Sequence, residues 1–200
     1  MHYYNSSYRK FLNIKFLRSI SPVLFWLILI FAFNGVSLGI MTLCSAALHE
    51  LSHFTALLLL KKNFNFNGSY FGLRISVNEF MSYKQEITVA LAGPLINIAV
   101  GLPFIFFAAG NEYLTSFGIL NLMTGLVNLI PVKSFDGYRI LSSILNLTLS
   151  FEKVNRIVET VSFTFIAVIC FISLFLISKL DTGYFLFFVI FSFFLESIRA

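Results

Sequence analysis

Long apolar stretches separated by short charged segments dominate the pattern of this chain. Runs without an acidic or basic residue cover 19–49, 51–60, 87–111, 113–132, 160–178 and 182–195. About 20 consecutive apolar residues suffice for a helix to cross a bilayer, and an Asn-Gly pair at 34–35 is a plausible turn within the first run. The pattern therefore predicts an all-α polytopic membrane protein with six transmembrane helices, at about 16–33, 36–60, 86–110, 113–130, 157–178 and 183–199.

The segment 61–85 is the longest predicted loop, and its pattern differs from that of the helices. Polar and apolar residues alternate on both sides of Asn67-Gly68. Alternation around an Asn-Gly pair is typical of two antiparallel strands joined by a tight turn. We therefore predict a short membrane-associated β-hairpin at 63–75, with an amphipathic surface loop as the alternative.

Composition agrees with a membrane protein. Hydrophobic residues make up 58% of the 200 residues and charged residues 12%, against a globular norm of about 25% charged. Mean hydropathy is +0.88. So much apolar surface excludes a soluble or disordered chain, because a core of this size cannot bury it. We expect a single integral-membrane domain over 1–200. Its expected partners include the lipid bilayer.

The net charge of +5 is explained by the orientation of the helices rather than by nucleic acid. Basic residues concentrate in cytoplasmic segments of membrane proteins. With a cytoplasmic N-terminus, only Lys179 falls in an outside loop. We therefore predict a multi-pass protein of the cell membrane with both termini cytoplasmic. The basic residues assigned to the inside are Arg9, Lys10, Lys15, Arg18, Lys61, Lys62, Arg74, Lys84, Lys133, Arg139, Lys153, Arg156 and Arg199.

Two of the three histidines stand in the sequence His49-Glu50-Leu51-Ser52-His53, inside the second predicted helix. Positions i and i+4 share one helix face, so both imidazoles can reach one metal ion, with Glu50 beside them as a general base. Ionisable groups in a membrane span are costly and usually mark function. The alternative is that the three side chains satisfy one another by hydrogen bonds.

Catalytic zinc has three protein ligands and an open position, so a third ligand is required. Asp136 is the best candidate, because Pro131 should end the preceding helix and irregular backbone at membrane depth usually lines a polar cavity. The alternative for Asp136 is an N-cap of a helix over 137–149. Asn97, inside the third predicted helix, is equally compatible with a contact to substrate and with a helix–helix hydrogen bond.

These blocks together resemble the site-2 protease family of intramembrane zinc metalloproteases. The family pattern is His-Glu-x-x-His, then Gly-x-x-x-Asn in the next core helix, then Asn-x-x-Pro-x-x-x-x-Asp-Gly. The matching residues, over a catalytic core of about 36–149, are His49, Glu50, His53, Gly93, Asn97, Asn128, Pro131, Asp136 and Gly137. Ser52 and Tyr138 stand where the family usually has glycine, and neither departure removes a ligand.

The resemblance implies Zn²⁺ held by His49, His53 and Asp136, with Glu50 catalytic. It implies a substrate contact at Asn97, and we assign Asn128 and Pro131 to substrate binding as well. The six-span layout looks most like the sporulation-type branch, without its C-terminal nucleotide-sensing domain.

We therefore expect a zinc endopeptidase that cuts within or beside a transmembrane segment of a membrane-tethered substrate, in regulated intramembrane proteolysis. Short loops suggest that a membrane partner regulates it. The alternatives are a catalytically inactive scaffold and a zinc-binding membrane transporter or chaperone.

Overall fold

The structure, a computed structural model, describes residues 35–62, 64–69, 72–77, 80–108 and 110–180. The predicted first and sixth spans, 16–33 and 183–199, lie outside these residues. The described chain forms five helices and one pair of strands. In chain order they are α1 (35–59), β1 (Phe64–Ser69), β2 (Gly72–Val77), α2 (Tyr83–Phe107), α3 (Glu112–Asn128), α4 (Asp136–Asn146) and α5 (Phe151–Leu180).

Helix α1 ends in a Schellman-type turn. The Lys62 N–H donates to the Leu57 carbonyl at 3.1 Å and the Lys61 N–H to the Leu58 carbonyl at 3.0 Å. Lys61 has φ 54°, the left-handed conformation that this turn requires and that glycine usually supplies. The Lys62 ammonium group then donates to the Phe80 carbonyl at 3.0 Å, which brings the two ends of the strand-bearing segment together.

Strands β1 and β2 pair antiparallel where the sequence predicts a hairpin, but the predicted turn was wrong. The register pairs Ser69 with Gly72 and Asn67 with Arg74. Asn67-Gly68 therefore lies within β1 instead of forming the turn. The observed register pairs apolar positions with each other, Phe64 with Val77 and Phe66 with Ile75. A turn at Asn67-Gly68 would have left much of β2 without a partner strand.

Helices α2 and α3 approach closely because glycines line their contact. A Cβ atom on Gly101 would lie 2.7 Å from the Leu122 nitrogen, and one on Gly118 would lie 2.9 Å from the Ile105 nitrogen. Gly125 meets the carbonyl of Pro94 in the same way, at 2.8 Å. Small residues permit such backbone contact between apolar helices, where van der Waals packing drives association.

The boundaries of three helices differ by a few residues from the predicted ones. Helix α2 begins at Tyr83 rather than 86, because Ser82 and Gln85 form a capping box ahead of it. Helix α3 ends at Asn128, two residues before the position that precedes Pro131, as the proline predicts. Helix α5 begins at Phe151 rather than 157, because its charged first turns are good helix formers although they fall outside the apolar run.

Two of the described helices are long and apolar enough to cross a membrane, over Tyr83–Phe107 and Phe151–Ile177. Much of their surface is exposed. Among the buried residues, Leu57 of α1 packs against Val89 of α2. Val132 and Ile166 form a second apolar cluster, which joins the segment 129–135 to α5.

Candidate metal centre

Helix α1 places His49 and His53 on one face, as their spacing predicts. Their rings meet edge to face with centroids 4.7 Å apart, and only 6% and 7% of the two residues is exposed. Burial of two imidazoles in so apolar a chain requires polar partners for all four ring nitrogens.

Asp136 reaches both histidines from α4. Its Oδ2 lies 3.0 Å from the Nε2 of His49 and 3.0 Å from the Nε2 of His53, and the two Nε2 atoms are 3.1 Å apart. The carboxylate comes from a helix start 83 positions beyond His53 in the sequence. The N-cap of α4 is Phe135, without a side-chain cap bond, so the alternative role of Asp136 as an N-cap is wrong.

The second nitrogen of each ring faces an oxygen. The Nδ1 of His53 lies 2.8 Å from the backbone carbonyl of Val89, and the Nδ1 of His49 lies 2.8 Å from the Oδ1 of Asn97. A carbonyl can only accept, so His53 must carry its proton on Nδ1. Its Nε2 then presents a lone pair towards Asp136, the orientation typical of a metal-bound histidine.

These donors fit zinc. The three atoms form a nearly equilateral triangle with edges of 3.0 to 3.1 Å. In a tetrahedral zinc site, bonds of about 2.0–2.1 Å place the ligand atoms about 3.3–3.4 Å apart, so little movement is needed. A cation at this point would satisfy three buried lone pairs that face one another. The cluster of His49, His53 and Asp136 is therefore compatible with zinc; the ligand roles themselves stay predictions.

Glycine at two positions makes room for the cluster. A Cβ atom on Gly93 would lie 2.5 Å from the Nε2 of His53 and 2.7 Å from the Cε1 of His49. A Cβ atom on Gly137 would overlap the carbonyl oxygen of Leu129. The first glycine clears space for the imidazole rings, and the second lets α4 start against the end of α3.

Asn97 is fully buried and forms hydrogen bonds between helices. Its Nδ2 donates to the carbonyl of Ser45 at 3.1 Å, to the Ser45 Oγ at 3.2 Å and to the Oδ1 of Asn121 at 3.0 Å. With its Oδ1 facing His49, every polar atom of the side chain has a partner. The structure thus has the helix–helix hydrogen bonds of the second alternative, and the substrate contact stays an untested prediction.

Asn128 and Pro131 lie where the chain leaves α3. Both are half-buried. The Nδ2 of Asn128 donates to the Thr124 carbonyl of its own helix at 2.9 Å. The segment that follows is tied to α5, because the Lys133 N–H donates to the Ser162 Oγ at 3.1 Å. Their predicted part in substrate binding remains a prediction.

Glu50 differs from the histidines beside it, because it is exposed. It is therefore open to a water molecule or a substrate at the edge of the buried cluster. Arg139, one turn into α4, places its Nη1 3.5 Å from the Oδ1 of Asp136, the oxygen that the histidines leave free. Burial and the charge of Glu159 raise the pKa of Tyr138 above the usual range, so this phenol stays neutral at physiological pH.

Sequence reasoning overlooked Ser45, Asn121 and Arg139. Each had a readable signal. Ser45 precedes His49 by four positions and so shares its helix face, and Arg139 follows Asp136 by three. Asn121 is an amide within the apolar run 113–132, and such a group needs a polar partner within the protein.

The comparisons with known proteins agree with these features. No family model matches the sequence. The chain is 25% identical over 142 residues to the zinc metalloprotease MJ0392 of Methanocaldococcus jannaschii; the match covers 62% of this chain and 39% of that protein. The chain thus spans about two fifths of the length of this curated relative.

A solved structure shares the fold. It is described as the site-2 protease from Methanocaldococcus jannaschii, with a TM-score of 0.62 and 23% identity, covering 93% of this chain and 87% of that one. The resemblance of this chain to the site-2 protease family, which its motifs indicate, is therefore confirmed, in sequence by the metalloprotease and in fold by the solved structure.

Proposed function

We propose that this chain is an intramembrane zinc endopeptidase of the site-2 protease type, which hydrolyses a peptide bond within or next to a transmembrane segment of a membrane-tethered substrate. The observation that carries the proposal is the convergence of His49, His53 and Asp136 on one point, buried, with Glu50 exposed at its edge. The fold shared with a site-2 protease supports it.

Zinc bound by the three ligands would lower the pKa of a coordinated water and polarise the scissile carbonyl. The protein residues supply the remaining steps. Glu50 accepts a proton from the attacking water and returns it to the leaving amine, which requires a carboxylate with access to both. The burial of His49, His53 and Asp136 keeps most bulk water away from the cluster.

The peptide bond must be extended before it can be cut, because the carbonyl groups of a helix are already hydrogen-bonded. We propose that a locally unwound substrate segment lies along β1 and β2 as an added strand. We assign to the binding of the same substrate segment Asn97, Asn128 and Pro131. Asn97 is fully buried in this structure.

The proposal includes a six-span protein of the cell membrane with cytoplasmic termini and a membrane partner that regulates it. The charge distribution supports this topology, since 13 of the 14 basic residues fall in the segments assigned to the cytoplasm. Two of the described helices have the length and apolar character of membrane spans.

The deciding experiment compares cells that express wild type, Glu50→Gln or Glu152→Gln. Glu152 is an exposed carboxylate in the first turn of α5, so its replacement is a matched control. Terminus-selective mass spectrometry of the membrane fraction should find a new terminus inside a transmembrane segment with wild type and Glu152→Gln. We expect Glu50→Gln to lower cleavage by about 10²- to 10⁴-fold while zinc stays bound.

Cleavage at the normal rate by Glu50→Gln would exclude the mechanism. Equal peptide profiles from all three proteins, each folded and loaded with zinc, would favour a non-hydrolytic scaffold instead.

A further inference from the structure

The hydrogen bonds of Asn97 determine which way its amide group is turned. An amide side chain can be turned two ways, with its oxygen or its NH₂ towards His49. Only the first way lets the Nδ1 of His49 carry a proton, and so leaves its Nε2 free for a metal. The orientation therefore decides whether His49 is ready to bind.

Backbone carbonyls decide this orientation. The carbonyl oxygen of Ser45, 3.1 Å from Asn97, can only accept, so the NH₂ group must point towards it. The carbonyl of Phe117 likewise takes the Nδ2 of Asn121 at 2.9 Å, which turns the Oδ1 of Asn121 towards Asn97. Both contacts place the NH₂ group of Asn97 away from His49.

A third contact agrees. The Thr124 hydroxyl donates to the Leu120 carbonyl at 2.8 Å, and the Ser45 hydroxyl donates to Thr124 at 3.0 Å. The Ser45 oxygen is then left as an acceptor for Asn97, at 3.2 Å. The three acceptors around the two N–H bonds of Asn97, from α1 and α3, are thus fixed by backbone carbonyls, and all require the same orientation.

We propose that Asn97 is a positioning residue for the metal: held by Ser45 and Asn121, its Oδ1 keeps the proton of His49 on Nδ1 and so reserves Nε2 for zinc. This inference rests on the proposed zinc site, not on hydrolysis. It assigns Asn97 a role towards a ligand of the metal, in addition to the contact with substrate that the sequence suggests. His53 needs no such residue, because the Val89 backbone carbonyl holds its Nδ1.

The two histidines therefore provide a test with an internal control. The chain has only three histidines, so ¹⁵N-labelled imidazoles are resolved and assigned with His2→Ala and His53→Ala variants. At a pH at which both imidazoles are neutral, each ring of the zinc-free wild type should carry its proton on Nδ1. In Asn97→Leu, the proton of His49 should move to Nε2, where Asp136 accepts it, while His53 stays unchanged.

Zinc affinity, measured by competition with a chelator, gives a second readout. We expect Asn97→Leu to bind zinc about 10- to 100-fold more weakly, the usual effect of losing such a partner. Asn97→Asp keeps an oxygen against His49 but turns another towards the Ser45 carbonyl. It should therefore be less stable, yet bind zinc within about threefold of wild type, since a carboxylate is an equally good partner for a metal-bound histidine.

Two results would overturn the proposal. One is a wild-type His49 with its proton on Nε2, and the other is equal loss of zinc by both Asn97 variants, which would indicate packing alone. If neither variant folds, the tautomer of wild-type His49 alone decides: a proton on Nδ1 supports the proposal and a proton on Nε2 contradicts it. A correct tautomer with no proteolysis would refute the proposed function and leave this inference intact.

Discussion

Single atoms decide whether this cluster can hold a metal. The imidazoles of His49 and His53 pack against the backbone of Gly93, where a methyl group would approach the His53 Nε2 to 2.5 Å. The carboxylate of Asp136 uses one oxygen for both histidines and the other for Arg139. Substitution of Gly93 or Asp136 should therefore disturb the cluster.

Gly93→Ala should displace the imidazoles and weaken zinc binding by at least about tenfold, as changes that reorient ligands commonly do. Gly101→Ala is the matched control, because its Cβ would lie 2.7 Å from the Leu122 nitrogen, away from the histidines. Both variants should lose stability, but Gly101→Ala should keep one zinc per folded molecule. Metal analysis of the folded fraction distinguishes them, and normal zinc content in Gly93→Ala would contradict the packing argument.

Asp136→Asn should weaken zinc binding by a factor of ten or more, about 1.4 kcal/mol or above, because the amide keeps the shape but loses the charge of the ligand. Glu86→Gln is the control, since the Glu86 carboxylate lies on α2 and accepts from Ser143 at 3.0 Å, outside the cluster. Chelator competition measures both. Equal zinc affinity of Asp136→Asn and wild type would remove Asp136 from the ligand set.

At the scale of elements, α5 supports the segment that carries Asp136. The Ser162 hydroxyl, on α5, accepts from the Lys133 N–H at 3.1 Å, and Ile166 packs on Val132. Pro131 ends α3, and the backbone beyond it is held by isolated turns, such as the Phe135 N–H donating to the Val132 carbonyl at 2.8 Å, together with the bond to α5. The sequence pattern predicts α5 only as a membrane span, but α5 also supports the segment that carries Asp136.

Ser162→Ala should destabilise the protein by about 0.5–1.5 kcal/mol, because it removes the acceptor of the half-buried Lys133 N–H. Ser173→Ala is the control on the same helix, since its buried hydroxyl donates only to the Cys170 carbonyl, one turn away. Unfolding in mixed micelles compares the two with wild type. An equal change in the two variants would mean that the contact with the segment 129–135 adds nothing.

At the scale of the whole molecule, zinc would link elements that are distant in the sequence. Asp136 is 87 positions from His49 and 83 from His53. A ligand that binds only the folded protein stabilises it by mass action. The metal would therefore act on the global fold as well as on the reaction.

Zinc at about 1,000 times its dissociation constant should add about 4 kcal/mol to the free energy of unfolding, and a chelator should remove that gain. Thermal unfolding in detergent, with zinc or with chelator, tests this in wild type and in His53→Ala. The variant lacks one of the proposed ligands, so its melting temperature should respond far less. The same response in both proteins would place zinc elsewhere.

The sequence by itself determined the features that depend on local spacing. The interval of four between His49 and His53 requires one helix face, and the apolar runs predict four of the described helices to within a few residues, since hydrophobic period and length are local properties. Pro131 likewise predicts the end of α3. The place of the strand pair was also readable, from alternation on both sides of Asn67-Gly68.

Only the tertiary structure decided the rest. Pairing of Asn67 with Arg74 and of Ser69 with Gly72 set the register of the hairpin, because cross-strand contacts outweigh the preference of an Asn-Gly pair for a turn. Whether Asp136 caps a helix or faces the histidines depended on how α4 packs, which no local pattern contains. The direction of Asn97 likewise follows from carbonyl groups of α1 and α3, which only folding brings to it.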